Sequence, residues 1–96
     1  MAYVEVVDVA GGSMDVYHQV EGILGDASRP GLIAVAAGAT PVGMAIVSIW
    51  DSKQSCEAFI SGQLGPALAQ AGAEGSPNLL LQLDGAEVTV PEPARA

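Results

Sequence analysis

The sequence predicts an α+β domain whose six elements run β-α-β-β-α-β. Two observations carry this. Runs of β-branched and aromatic residues alternate with stretches whose apolar residues recur at helical spacing, and Gly, Pro and Ser clusters separate the two kinds of segment. At 96 residues the chain has the length of one domain. Residues 1–90 are expected to form it, with the polar segment 91–96 a frayed tail.

Residues 3–9, Y-V-E-V-V-D-V, read as the first strand, ended by Gly11-Gly12. Ser13 is placed to cap a helix, with Asp15 in the first turn and Val16, Val20, Ile23 and Leu24 as its apolar stripe up to Gly25. After Arg29-Pro30, residues 31–38 form a second strand rich in small side chains. A turn over 39–43 and a third strand over 44–50 complete a hairpin. Asp51 or Ser52 caps the second helix, whose stripe is Cys56, Phe59, Ile60, Leu64, Ala67 and Leu68; Gly65-Pro66 is expected to break or kink it. Residues 79–83 make the fourth strand, and Asp84-Gly85 turns it into a short extension over 86–90.

This order is the split βαβ, or ferredoxin-like, arrangement: an antiparallel four-strand sheet with both helices on one face. The uncovered face of such a sheet is normally polar. Here the third strand sets Met44, Ile46, Ser48 and Trp50 on one side and Ala45, Val47 and Ile49 on the other. Both sides are apolar, so a homodimer with two sheets packed face to face is the expected cover.

Composition excludes several classes. The chain carries 11 acidic residues against three bases, Arg29, Lys53 and Arg95, for a net charge of −8. Phosphate binding needs several bases on one face, so neither nucleic acid nor an anionic membrane is an expected partner. One Cys and one His leave neither a disulfide nor a clustered metal site. No apolar run approaches a membrane span, and Met1–Glu5 lacks the basic start of a signal peptide, so a cytoplasmic protein is expected.

Three segments carry a family resemblance. They are Pro30-Gly31-Leu32-Ile33 leading into the hairpin, Ile49-Trp50-Asp51-Ser52 running on to Phe59, and Leu64-Gly65-Pro66-Ala67-Leu68 with Gly72. Together they resemble the small bacterial dimeric α+β barrel proteins related to the antibiotic-biosynthesis monooxygenase domain. The resemblance spans residues 3–83, and its most specific piece, strand–Trp-x-Ser–helix–Phe, marks a fold more than a reaction. It implies a homodimer with a ligand cavity between sheet and helices. The superfamily includes cofactor-free oxygenases of polyketide quinols, polyketide cyclases, haem-degrading enzymes and decarboxylases. Many relatives with this Pro-Gly-Leu strand carry His four residues after the Gly, where this chain has Val35. The axial His of the haem-degrading branch is also missing from the second helix, so no cofactor is expected.

The candidate catalytic residues are Trp50, Ser48, Tyr17 and His18. Trp50 either closes the core or offers its indole N–H to a substrate carbonyl, as resembling oxygenases are thought to do. Ser48 shares its side of the strand, and a hydroxyl among apolar neighbours needs a partner. Tyr17 flanks the first helix's stripe, packing at the core edge or reaching a ligand. His18 is either a solvated helix-face imidazole or a group at the pocket mouth or dimer contact. Glu5 reads as a sheet-edge carboxylate or, if buried, as a base. Cys56 reads as a core thiol. Ala34, Ala36, Met44, Ile46 and Phe59 are the expected pocket lining for a small hydrophobic or aromatic ligand. The function expected from the resemblance is a cofactor-independent monooxygenase or cyclase acting on an aromatic or polyketide-like molecule. The alternative is a non-catalytic dimeric binding or accessory module.

Overall fold

The computed structural model describes residues 2–25, 29–72 and 76–89. Strand β1 (Ala2–Ala10) is followed by helix α1 (Met14–Leu24), then by β2 (Leu32–Thr40) and β3 (Gly43–Trp50). Helix α2 (Lys53–Phe59) continues through a π-helical turn (Ile60–Leu64) into α3 (Gly65–Ala71), and β4 (Ser76–Ala86) closes the order. The sheet runs β2-β3-β1-β4 with every neighbour antiparallel, the ferredoxin-like order. Residues 91–96, expected as a tail, lie outside the described residues.

Local chemistry sets the element ends. Ser13 accepts the Val16 N–H at 3.2 Å, and Ser52 rather than Asp51 caps α2 by accepting the Ser55 N–H at 3.1 Å. The second helical arm does not break at Gly65-Pro66. Proline has no N–H to donate back into the helix, and the backbone absorbs this as a π turn in which the Gly65 N–H reaches the Ile60 carbonyl. The hairpin is tighter than expected, because β2 runs on to Thr40 and only Pro41 and Val42 remain as the turn. The close of β4 also differs: one strand of 11 residues crosses Asp84 without turning.

Two glycines permit close approaches that matter to the layout. A Cβ at Gly43 would collide with the Val9 carbonyl, so glycine lets the hairpin lie against the end of β1. At Gly31 the backbone is left-handed (φ 88°), and a Cβ would strike Asp51 and Ser55. Its carbonyl accepts the Asp51 N–H at 2.7 Å, which ties the entry of β2 to the entry of α2.

The core lies between sheet and helices in two parts. Tyr3, Trp50 and Cys56 pack together with Leu32 and Phe59. Val20, Leu24 and Ala67 form the second part between α1 and α3, and Phe59 touches it as well. Ile60 and Leu68, expected on the buried stripe, are exposed, since the π turn rotates the arm on which they sit. No helix among the described residues is long and apolar enough to cross a membrane.

Candidate functional site

Register decides which side chains share the face beneath the helices. Residues paired directly across neighbouring strands point to the same side. From β4 to β2, one row reads Asp84, Tyr3, Trp50, Leu32; the next reads Gln82, Glu5, Ser48, Val35; a third reads Leu79, Val7, Ile46, Ala37. Trp50 and Tyr3 pack on Cys56 of α2, which fixes this as the helix-covered face.

The middle row is polar. The Tyr3 hydroxyl donates to Glu5 Oε2 at 2.7 Å, and the Gln82 amide donates to the Tyr3 oxygen at 2.8 Å. Burial at 2% exposure, with the Glu5 carboxylate beside it, pushes the Tyr3 phenol up to about 12. Burial, with Glu5 and Glu57 adding to it, pushes the Cys56 thiol up to about 11, so it stays protonated and poorly nucleophilic at neutral pH. Trp50 is 3% exposed, and its indole N–H has no hydrogen-bond partner among the described residues. An unpaired buried donor costs about 1–3 kcal/mol, so this N–H is the group on the face most in need of an acceptor.

A second cluster spans α1 and the segment before β2. Arg29 donates to both Glu21 carboxylate oxygens, at 3.3 and 2.5 Å, and its guanidinium lies 5.3 Å from the centre of the Phe59 ring. The Arg29 hydrogen bonds hold the Glu21 carboxyl below its usual range. Tyr17 lies beside this pair, its phenol raised by burial and then by Glu21. His18 stands edge-on to Tyr17, with ring centroids 5.8 Å apart, and is itself exposed. Phe59 in turn packs on Trp50 at 5.4 Å, so it is the aromatic link between the two clusters.

The four sequence-predicted catalytic residues thus fall into two pairs. Trp50 and Ser48 share the covered face of β3; Tyr17 and His18 sit together on α1. Of the expected lining, Met44 and Ile46 lie on the covered face and Phe59 against Trp50. Ala34 and Ala36 do not join them. A register shift between Leu32 and Ala34 makes Ile33 an extra residue, which turns Ala34 toward Ile49's side and Ala36 toward Val47's. Val35 and Ala37 take their places over the covered face. Two open clefts flank this core. One of about 440 Å³ is lined by Ala2, Ile33, Asp51, Ala86, Glu87 and Val88, and the other, of about 330 Å³, by Pro30, Gln54, Ser55, Ala58, Phe59 and Gln63.

The Tyr3–Glu5–Gln82 network is what sequence reasoning missed. The sequence alone reads Glu5 as a sheet-edge carboxylate or, if buried, as a base. The strand order makes β1 an inner strand with neighbours on both sides, so its carboxylate lies on the sheet's interior. The available signal was the interruption of the Leu79–Leu83 run by Gln82, a polar residue that needs a polar neighbour.

No protein-family profile and no curated protein matches the chain, whereas solved structures do. A protein of unknown function from Nitrosomonas europaea, NE2512, is similar at a TM-score of 0.64 and 17% identity, over 94% of this chain and 93% of that one. A protein from Chloroflexus aurantiacus with the provisional name antibiotic biosynthesis monooxygenase is similar at 0.58 and 19%, over 93% of each chain. SnoaB from Streptomyces nogalater, a cofactor-independent oxygenase, is similar at 0.58 and 14%, over 95% of this chain and 96% of its own. The chain therefore resembles antibiotic-biosynthesis-monooxygenase-like proteins in structure and shares their ferredoxin-like α+β fold.

Proposed function

We propose that this chain is a cofactor-independent enzyme of the monooxygenase or cyclase type, acting on an aromatic or polyketide-like molecule between sheet and helices. The observation that carries the reading is the buried, unpartnered Trp50 N–H on the same face of β3 as Ser48, in a fold shared with a cofactor-independent oxygenase. Trp50 N–H and the Ser48 hydroxyl would hold a substrate carbonyl, and Phe59 would flank the ring. Tyr17 and His18 would approach from α1. With so few polar groups, orientation and exclusion of water supply most of the rate.

The working unit in this reading is a homodimer. Val4, Val6, Val47, Ile49, Leu81 and Leu83 occupy the uncovered face, and a second copy of that face is the matching apolar partner.

Oxygenation of an anthrone balances as anthrone plus O2 giving anthraquinone plus water. Metal-free protein given an anthrone under air is expected to form the anthraquinone, and Trp50→Phe is expected to slow this about 100-fold. No turnover across quinol and polyketide panels would sink the enzyme reading. The exposure of His18, the chain's single imidazole, favours one other reading, a dimeric binding or accessory module. It predicts saturable ligand binding with no turnover, and no effect of Trp50→Phe on any rate.

A further inference from the structure

We propose that Glu5 is the proton acceptor of this site, and that its substrate presents an acidic O–H or a C–H activated by an adjacent carbonyl. The inference rests on the reading of the covered face as a small-molecule site. Glu5 lies in the row next to Trp50, on the neighbouring strand and the same face. Such diagonal pairs stand roughly 7–8 Å apart, about the span between a phenolic or benzylic hydrogen and a ring carbonyl. One side of the site therefore holds an orphaned donor and the other a carboxylate, and a single flat molecule would answer both.

Glu5 is held for such a role. Tyr3 donates to Oε2, and Gln82 donates to Tyr3, so the carboxylate is oriented by a chain anchored on β4. Cys56 on α2 lies near enough to feel the same negative charge. A carboxylate offers about four acceptor positions, so the one that Tyr3 fills leaves it able to accept from a ligand. The titratable groups around it are Tyr3 on its own strand, Asp84 on β4, and Cys56 with Glu57 on α2; β3 contributes only the neutral Ser48 and Trp50.

In the step, the substrate O–H or C–H bond breaks heterolytically. The proton passes to Glu5, the electron pair stays on the substrate, and the resulting oxyanion accepts from the Trp50 N–H. Oxygenation by O2 and cyclisation both begin from that anion. Tyr3 and Gln82 act as positioning residues.

The test follows deuterium uptake at the benzylic carbon of anthrone, in D2O without O2, on the full-length protein. That exchange reads proton removal alone. The wild type is expected to speed it, and Glu5→Gln to slow exchange of bound anthrone about 100-fold at unchanged anthrone affinity. Equal exchange on the two proteins would overturn the role of Glu5 and leave the binding site standing. Failure of anthrone to bind either protein would overturn the site reading and the inference together. Should Glu5→Gln not fold, Glu5→Asp decides: it keeps the carboxylate but withdraws it by one methylene, so exchange should fall while binding holds. Unchanged exchange there would overturn the inference.

Discussion

Beneath the helices the four strands present Gln82, Glu5, Ser48 and Val35 in one row; on the other side they present Leu81, Val6, Val47 and Ala36. The usual one-sided antiparallel sheet is apolar where helices cover it and polar where water does. Between these two rows that distribution is reversed. Polar groups under cover must be mutually satisfied or await a ligand, and here Tyr3, Glu5 and Gln82 are satisfied while the Trp50 N–H is not. Apolar groups in the open lower the free energy only when something covers them. One face therefore carries the features of chemistry and the other the features of association.

The sharpest way to break the comparison is to put a charge on the open face. Val47 is 38% exposed, so Val47→Glu meets water in an isolated chain and leaves the fold intact. Between two packed sheets the same carboxylate would be buried without a partner, and dimer affinity should fall by roughly 10⁴-fold, about 5.6 kcal/mol. Sedimentation equilibrium reads this directly: dimer for the wild type and monomer for the variant, with unchanged far-UV circular dichroism. An unchanged mass would show that the open face is not where copies meet.

On the covered face, Trp50 separates packing from chemistry. Trp50→Ala empties a site at the centre of the Tyr3–Cys56–Phe59 cluster and should cost about 3–5 kcal/mol in denaturant unfolding. Trp50→Phe keeps most of the ring and removes a donor that has no partner in the protein, so its stability should stay within about 1 kcal/mol of the wild type. A loss from Trp50→Phe as large as that from Trp50→Ala would mean the N–H is satisfied within the protein and is not held for a ligand.

These two faces were only partly legible in the sequence. Element order, the Ser13 cap and the excess of apolar residues on the sheet followed from spacing alone, because helical and strand periodicities are local properties. Which side chains meet across neighbouring strands did not. The extra residues Ile33 in β2 and Leu80 in β4 each shift the register, and one shift carries every later side chain to the other face. That is why Ala34 and Ala36 left the expected pocket. Glu5 met Gln82 through a pairing 77 positions away in the chain, which rests on β4 docking beside β1 and not on any local signal. The Arg29–Glu21 pair likewise joins α1 to a residue eight positions further along the chain, which no strand or helix periodicity announces.

Buried Tyr3 and Cys56 give the covered face a pH signature. Tyr3 titrates from the usual 10 to about 12 in the folded chain, and a phenol raised by folding contributes stability that is full below pH 10 and lost as pH rises through 12. Cys56 acts with the same sign between 9 and about 11. Thermal midpoints should therefore fall across pH 9–12. Tyr3→Phe should flatten the upper part of that fall and Cys56→Ala the lower part. The Tyr3→Phe change should also cost about 1–2 kcal/mol at pH 7, since Glu5 and Gln82 lose their shared partner. A wild-type profile that is flat above pH 9 would mean that these groups are hydrated, and that the row beneath the helices is open to water.

The smallest expected effect concerns how firmly the helices close over that row. Arg29 and Glu21 are partly exposed, with side chains 17% and 32% accessible, so their ion pair is worth only about 0.5–1 kcal/mol and weakens in salt. Its position gives it more consequence than its energy. The pair joins α1 to the guanidinium that lies over Phe59, and Phe59 packs on Trp50. Folding lowers the Glu21 carboxyl, so this contribution is present above the ordinary carboxylate range and lost as pH falls through it. Glu21→Gln should thus lower stability by no more than about 1 kcal/mol at pH 7 and show less acid sensitivity than the wild type. Its larger effect should appear in hydrogen exchange, which tracks local opening where global unfolding does not. Amides of α1 and the Phe59 turn are expected to exchange faster in Glu21→Gln, with the strands of the sheet unchanged. Uniformly faster exchange, strands included, would show that the pair supports the whole fold and does not latch the helices over the Trp50–Glu5 face.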